Sequence, residues 1–204
     1  MTERMERQFA FALEADKEKN IVRQTLISDG SRRENDAEHA WHAALMAVLL
    51  SEYANSGIDV LRTVTMLLIH DMVEIDAGDT YAYDEQAKLT QRDREEKAAD
   101  RVFGLLPDDQ RDRFRALWEE FEACETAESR FAHAMDNIQP AMLNNATDGR
   151  VWLERGVRLG QILDRNRSTP EGSRALWDYS LNRFILPNRD KGRIRDESVF
   201  ESEE

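Results

Sequence analysis

Between Val60 and Ile75 the chain reads VLRTVTMLLIHDMVEI, an apolar run without Gly or Pro that three ionisable groups, His70, Asp71 and Glu74, interrupt near its end. Such a run predicts a buried helix. On a helix His70 and Glu74 stack one turn apart on one face, and Asp71 lies about 100° round from His70. An unpaired carboxylate in those surroundings costs roughly several kcal/mol even after relaxation. The chain carries that cost only if something cationic sits beside it. One divalent metal ion would satisfy the imidazole of His70 and the carboxylate of Asp71 together.

The rest of the chain also favours helices. Nine Gly and four Pro are few for 204 residues, and charged residues reach 34%, against a usual share of about 25%. Few breakers and many charges suit amphipathic helices with solvated outer faces and exclude an all-β chain. The fold class expected is all-α, a bundle of about seven to eight helices in one domain over residues 1–187, followed by a polar, flexible tail over 188–204. A lone cysteine, Cys124, permits no internal disulfide and builds no thiolate metal site, so a reducing, cytoplasmic setting is expected. The first residues run into an amphipathic helix rather than a signal sequence, and no apolar run approaches the roughly 20 residues of a membrane span. The formal net charge is −13. An acidic surface of that kind repels nucleic acids and anionic membranes but admits a small anionic ligand where a few cations converge.

The helices can be placed in order. Phe9, Ala12 and Leu13 mark a first amphipathic helix, and Ser28-Asp29-Gly30-Ser31 a loop. Asn35 with Glu38 three residues on predicts a capping box for a second helix, about 36 to 55, apolar nearly all round and therefore interior. Asp59 caps the third helix, and Gly78 fits the position just past its end. Further helices are expected over about 91–105, 107–124 and 127–146, the last capped by Thr126 and carrying Pro140. A seventh runs from Val151 to Leu163 and an eighth from Leu176 to Ile185. Trp118, Trp152 and Trp177 supply either core packing or a face for a homodimer.

Three apolar helices thus carry ligand-type groups: His39 with His42, His70 with Asp71 and Glu74, and His133 with Asp136. Imidazole with carboxylate suits Mn, Fe, Co, Ni or Zn better than Ca. On the residues alone, His70 and Asp71 are the stronger metal candidates. For His39 and Asp136, ligation and an ordinary structural role, such as Asp136 capping or pairing with an Arg, stand level. His42 and His133 lack an adjacent carboxylate and read as structural. No Ser or Cys sits on a sharp Gly-flanked turn, no glycine-rich phosphate loop is present, and the Glu-x-x-His pairs of a di-iron bundle are missing.

The order Glu38-His39, then His70-Asp71-x-x-Glu74, then Gly78-Asp79, then a late Asp136 resembles the HD-domain superfamily of metal-dependent phosphohydrolases, over about residues 18–145. Within it the pattern is similar to the branch of the bacterial 5′-deoxynucleotidases and their eukaryotic relatives. The resemblance implies that His39, His70, Asp71 and Asp136 bind one divalent ion (Co, Mn, Fe, Ni, Zn or Mg) and that Arg23 holds the phosphate; the mechanism expected from it has Glu74 and Asp79 order the attacking water and shuttle its proton, with Arg33 or Lys88 joining Arg23 on the phosphate. Gln24 stands where the branch carries a bulky aromatic that shapes the sugar pocket, so the resemblance does not extend to a preference for deoxyribose over ribose. The implied reaction is hydrolysis of a phosphomonoester, a nucleoside 5′-monophosphate first. A phosphodiesterase, a nucleoside triphosphate or alarmone hydrolase, and a non-catalytic nucleotide sensor are the alternatives. The partner expected is a small-molecule nucleotide, with no nucleic acid and no membrane.

Overall fold

The computed structural model describes residues 2–78 and 91–196. The all-α expectation holds: eight helices of seven or more residues occur among the described residues, with one small hairpin. Helix α1 is Thr2–Ala15. A hairpin of β1, Val22–Leu26, and β2, Arg33–Asn35, leads directly into α2, Asp36–Leu50. Then come α3 (Val60–Ile69), α4 (Glu74–Ala77), α5 (Gln91–Phe103), α6 (Asp108–Ala123) and α7 (Ala127–Ala146). The chain continues through α8 (Arg150–Arg155), α9 (Leu159–Arg165), α10 (Thr169–Gly172), α11 (Arg174–Ser180) and α12 (Leu186–Asp190). The caps behave as expected. Asn35 and Glu38 form the reciprocal capping box of α2, Asp59 accepts from the backbone of Arg62, and Thr126 accepts from Ser129 N at the head of α7.

Helix α7 is the axis of the domain. It packs against α2, α3 and α10 and buries Phe131, Met135 and Ile138 in the larger core, with Met66, Leu67, Phe103 and Trp118. A second, smaller core gathers Ala141, Trp152, Ile162, Trp177, Ile185 and Ile194. The three tryptophans raised as a dimer face, Trp118, Trp152 and Trp177, are all buried and pack these cores.

Several local expectations are corrected. The helix that starts at Val60 does not run unbroken through Glu74: Ile69 leaves helical geometry (φ −120°, ψ −6°) and His70–Val73 wind as a 3₁₀ turn. That tighter winding advances about 120° per residue rather than 100°, which swings Asp71 further from His70. Helix α2 is not interior all round. Its alanines, Ala40, Ala43, Ala44 and Ala47, face the core, where small side chains allow close approach, and Trp41 points outward at 62% exposure. In α1 it is Phe11 that faces the core while Phe9 and Leu13 are exposed. The single helix expected over 151–163 is two, divided at Gly156, whose φ of +61° ends α8 in left-handed geometry. The stretch from 188 also packs: Asn188 and Ile194 are buried, and Arg195 N donates to the Val157 carbonyl. Residues 197–204 of the expected tail lie outside the described residues.

Candidate functional site

Five elements converge on one buried point. β1 brings Arg23, the start of α2 brings Asp36 and His39, and β2 brings Glu34. The 3₁₀ turn brings His70 and Asp71, and the middle of α7 brings Asp136 and Gln139. His39, His70 and Asp136 each place a ligand atom within 4.8 Å of the others, all buried. His39 Nε2 lies 3.0 Å from Asp136 Oδ1 and 3.9 Å from Asp71 Oδ2. His70 Nε2 lies 3.1 Å from Asp71 Oδ1 and 3.7 Å from Asp136 Oδ1. Ligands about 2.1 Å from a common ion stand roughly 3.0–3.4 Å from each other, so these separations suit the edges of a coordination shell.

The hydrogen bonds around the imidazoles test whether a cation belongs there. Gln139 Nε2 donates to Glu34 Oε1 at 2.6 Å, which leaves Gln139 Oε1 as the acceptor for His39 Nδ1 at 3.0 Å. A neutral His39 protonated on Nδ1 then turns the lone pair of Nε2 toward the carboxylate of Asp136. Two lone pairs facing each other at 3.0 Å repel unless a proton or a metal sits between them. His70 repeats the arrangement. Its Nδ1 donates to the Leu67 carbonyl at 2.8 Å, and its Nε2 is buried without a hydrogen-bond partner. An outer bond that fixes the tautomer and aims the other nitrogen inward is how metal-ligating histidines are held. The donor set therefore fits a divalent ion.

Electrostatics agree. Burial lowers the pKa of His39, and the charge of Arg23 adds to this, so its ring stays neutral. At His70 burial also favours the neutral ring, but Asp71 outweighs it and the pKa rises well above the usual value. Burial works to raise Asp71, yet the charges of His70 and Arg23 hold its carboxyl below the usual range. Asp136 is held down too: burial opposes, and the neighbouring His39 and His70, with the charge of Arg165, prevail. The two buried carboxylates beside His70 demand a positive charge, which a divalent ion there would supply. Arg23 supplies more, its Nη1 bonding Asp71 Oδ2 at 2.6 Å and Asp36 Oδ1 at 3.1 Å.

The cluster opens into a cavity of about 270 Å³ lined by Arg23, Gln24, Glu74, Glu122, Asn144 and Arg165 among others. This lies near the lower bound for small-molecule pockets, roughly 300 Å³. Of the residues singled out in the sequence, His39, His70 and Asp136 form the cluster, Asp71 stands beside it against His70 and Arg23, and Arg23 and Glu74 line the cavity. Arg33 instead donates to the Gln24 carbonyl within the hairpin. Asp79 and Lys88 lie outside the described residues. His133 also lines the cavity, but its Nε2 is spent on the Phe121 carbonyl at 2.7 Å. Glu34, Asp36, Gln139 and Arg165 were missed. Gln139 was within reach, since it stands three residues from Asp136 and so shares its helix face. Arg165 had no local signal.

A helical domain whose buried centre pairs histidines with aspartates belongs to the class of His–Asp helical domains. A family model described as HD domain matches residues 15–177, and the chain belongs to that family. Its similarity to characterised relatives is partial. It is 32% identical to the human 5′-deoxynucleotidase HDDC2 over 108 residues, 53% of this chain and 52% of that protein. With the Xenopus laevis 5′-deoxynucleotidase HDDC2 it shares 31% identity over 136 residues, 67% of this chain and 64% of the relative. The chain thus spans about half to two thirds of the length of these curated relatives. Among solved structures, a crystal structure described as a predicted metal-dependent phosphohydrolase from Magnetospirillum magnetotacticum MS-1 superposes with a TM-score of 0.89 at 46% identity, covering 94% of this chain and 95% of that one. A conserved hypothetical protein from Pyrococcus furiosus, 22% identical with a TM-score of 0.61 over 89% of this chain and 99% of its own, shares the fold.

Proposed function

We propose that the protein is a metal-dependent phosphohydrolase that cleaves small phosphomonoesters, nucleoside 5′-monophosphates first. The observation that carries this reading is the pair of inward-facing imidazole nitrogens set against Asp136 and Asp71 at the floor of a cavity that also exposes arginine. The donor set asks for a cation, and arginine on the cavity wall offers donors to a phosphate. Family membership and the likeness to proteins described as phosphohydrolases support it.

In this reading His39, His70, Asp71 and Asp136 hold the ion. A divalent ion there would polarise a phosphoryl oxygen and lower the pKa of bound water toward about 7. The chain's own residues do the rest. Gln139, braced by Glu34, fixes the tautomer of His39. Arg23 holds the Asp71 carboxylate and faces the phosphate. Glu74, on the cavity wall, orders the attacking water and accepts its proton, a role that Asp79 shares. Lys88 stays a candidate phosphate contact, and Arg33 is assigned to the hairpin. Preference for base and for ribose or deoxyribose is the finer part of the proposal.

The test is Asp71→Ala, assayed with 5′-mononucleotides in ribose and deoxyribose forms alongside diesters and triphosphates. The variant is expected to keep its helical circular dichroism, to lose bound metal by elemental analysis and to lose turnover by about 10²- to 10³-fold, the scale of removing one preorganised electrostatic element. A folded Asp71→Ala protein that retains both metal and rate refutes the reading.

A further inference from the structure

The roles assigned so far come from residues 23–139 and leave the part of the cavity lined by residues between 140 and 166 without one. Among the described residues lining the cavity two are arginines, Arg23 and Arg165. They differ in how far their charge is already met. Arg23 is 13% exposed and has three carboxylates around it, Asp71 at 2.6 Å, Asp36 at 3.1 Å and Glu34 at 3.9 Å. Arg165, the last residue of α9, is 46% exposed and donates one bond, from Nη2 to Asp136 Oδ2 at 3.2 Å. A guanidinium has five N–H donors in a rigid fork, so most of this one is left for a ligand. It is also placed one carboxylate away from the candidate ion, because the other oxygen of Asp136 faces His39 at 3.0 Å.

A second observation points the same way. Residues 150–196 carry eleven Lys and Arg against six Asp and Glu, a surplus of five positive charges in a chain whose net charge is −13. Of that stretch Val151, Trp152, Ile162, Arg165 and Asn166 line the cavity, so its surplus charge reaches the cavity through Arg165 alone among the described residues.

Resting on the phosphohydrolase reading above, we propose that Arg165 is a substrate-binding residue that grips oxygens of the terminal phosphate and selects a dianionic monoester over a monoanionic diester. A monoester, whose second pKa is about 6, carries two negative charges at neutral pH, and a diester carries one. Arg23 has its charge largely neutralised by its carboxylates. The second charge of the monoester is met by Arg165, which reaches it while still holding Asp136.

The experiment compares metal-loaded wild type with Arg165→Gln, Arg165→Lys and the control Arg167→Gln, whose side chain is 81% exposed and paired with Asp164. Steady-state kinetics on a 5′-mononucleotide and on a phosphodiester are read with the inhibition constant of inorganic phosphate and the metal content. Losing a hydrogen bond to a charged group predicts about a 10- to 100-fold rise in KM for the monoester and in the phosphate inhibition constant. The diester KM should move less than about 3-fold, metal content should hold, and Arg165→Lys should fall between. Arg167→Gln should match wild type. Unchanged phosphate inhibition in Arg165→Gln, or lost metal with KM unchanged, overturns the proposal; the second result would make Arg165 only a brace for Asp136. If Arg165→Gln does not fold, Arg165→Lys decides, and a KM equal to wild type there counts against it. Wild-type protein that neither binds phosphate nor hydrolyses any monoester would instead sink the functional reading itself.

Discussion

At the scale of single residues, the group most out of keeping with its neighbours is Glu18. It sits in the run Asp16-Lys17-Glu18-Lys19, which reads as a solvated charged turn, yet it is 6% exposed and its Oε1 has no hydrogen-bond partner. Burial, with the nearby charge of Asp71, pushes its pKa up to about 8 from 4.5. A carboxyl raised on folding binds its proton more tightly in the native state. The stability it lends is therefore full below the unfolded value near 4.5 and is lost as pH rises toward 8. Glu18→Gln keeps the group neutral throughout. The variant should match wild type near pH 4.5 and gain on it steadily to about pH 8, by an amount on the order of a few kcal/mol. Urea unfolding at pH 5 and pH 9 measures this, and an equal offset at both would show that the carboxyl is not raised. Glu18 was not legible because a charge is read as solvated unless its neighbours are apolar. His39, His70 and Asp136 were legible for the converse reason: each interrupts an apolar helix.

At the scale of elements, what could be read was what the chain writes locally. The box of Asn35 and Glu38 is local: Asn35 Oδ1 accepts from Glu38 N at 3.0 Å, and Glu38 Oε2 accepts from Asn35 N at 3.1 Å. It sets where α2 begins and hence where His39, one turn in, comes to lie. Asn35→Ala should cost about 1 kcal/mol of stability, measured by chemical denaturation, with the helical signal otherwise intact. A cost near zero would mean that docking of α2, not its cap, fixes the first turn. The hairpin and the 3₁₀ turn at His70–Val73 were not legible. Val22–Leu26 has no clean alternation, and its pairing to Arg33–Asn35 is irregular between Val22 and Leu26, so tertiary docking rather than strand propensity shapes it. Nothing in the apolar run announces that Ile69 leaves helical geometry. Gly156 could have been given more weight, since a glycine inside a helical pattern is a ready C-terminal stop.

At the scale of the whole molecule, both cores contribute to the cavity lining, Val73 and Phe121 from the larger and Ala141, Trp152 and Ile162 from the second. Ile194, 2% exposed, belongs to that core together with Ile162 of α9. The backbone ties the same pieces: Leu159 N donates to the Arg195 carbonyl at 3.0 Å, and Arg195 N donates to the Val157 carbonyl at 2.9 Å. The segment that composition marked as a polar tail thus fastens the start of α9, and the far end of α9 presents Arg165. A polar stretch hides one apolar anchor, and composition averages over it. Ile194→Ala removes buried methyl groups from a packed site and should cost about 2–5 kcal/mol, measured by urea unfolding. Because the loss falls on the second core, the imidazole cluster on α2, the 3₁₀ turn and α7 should keep its metal, whereas KM for a phosphomonoester should rise as α9 loosens. Loss of metal with KM unchanged would place the coupling on the other side of the cavity, and a cost below about 0.5 kcal/mol, the scale of an ordinary surface change, would return residues 188–196 to the periphery.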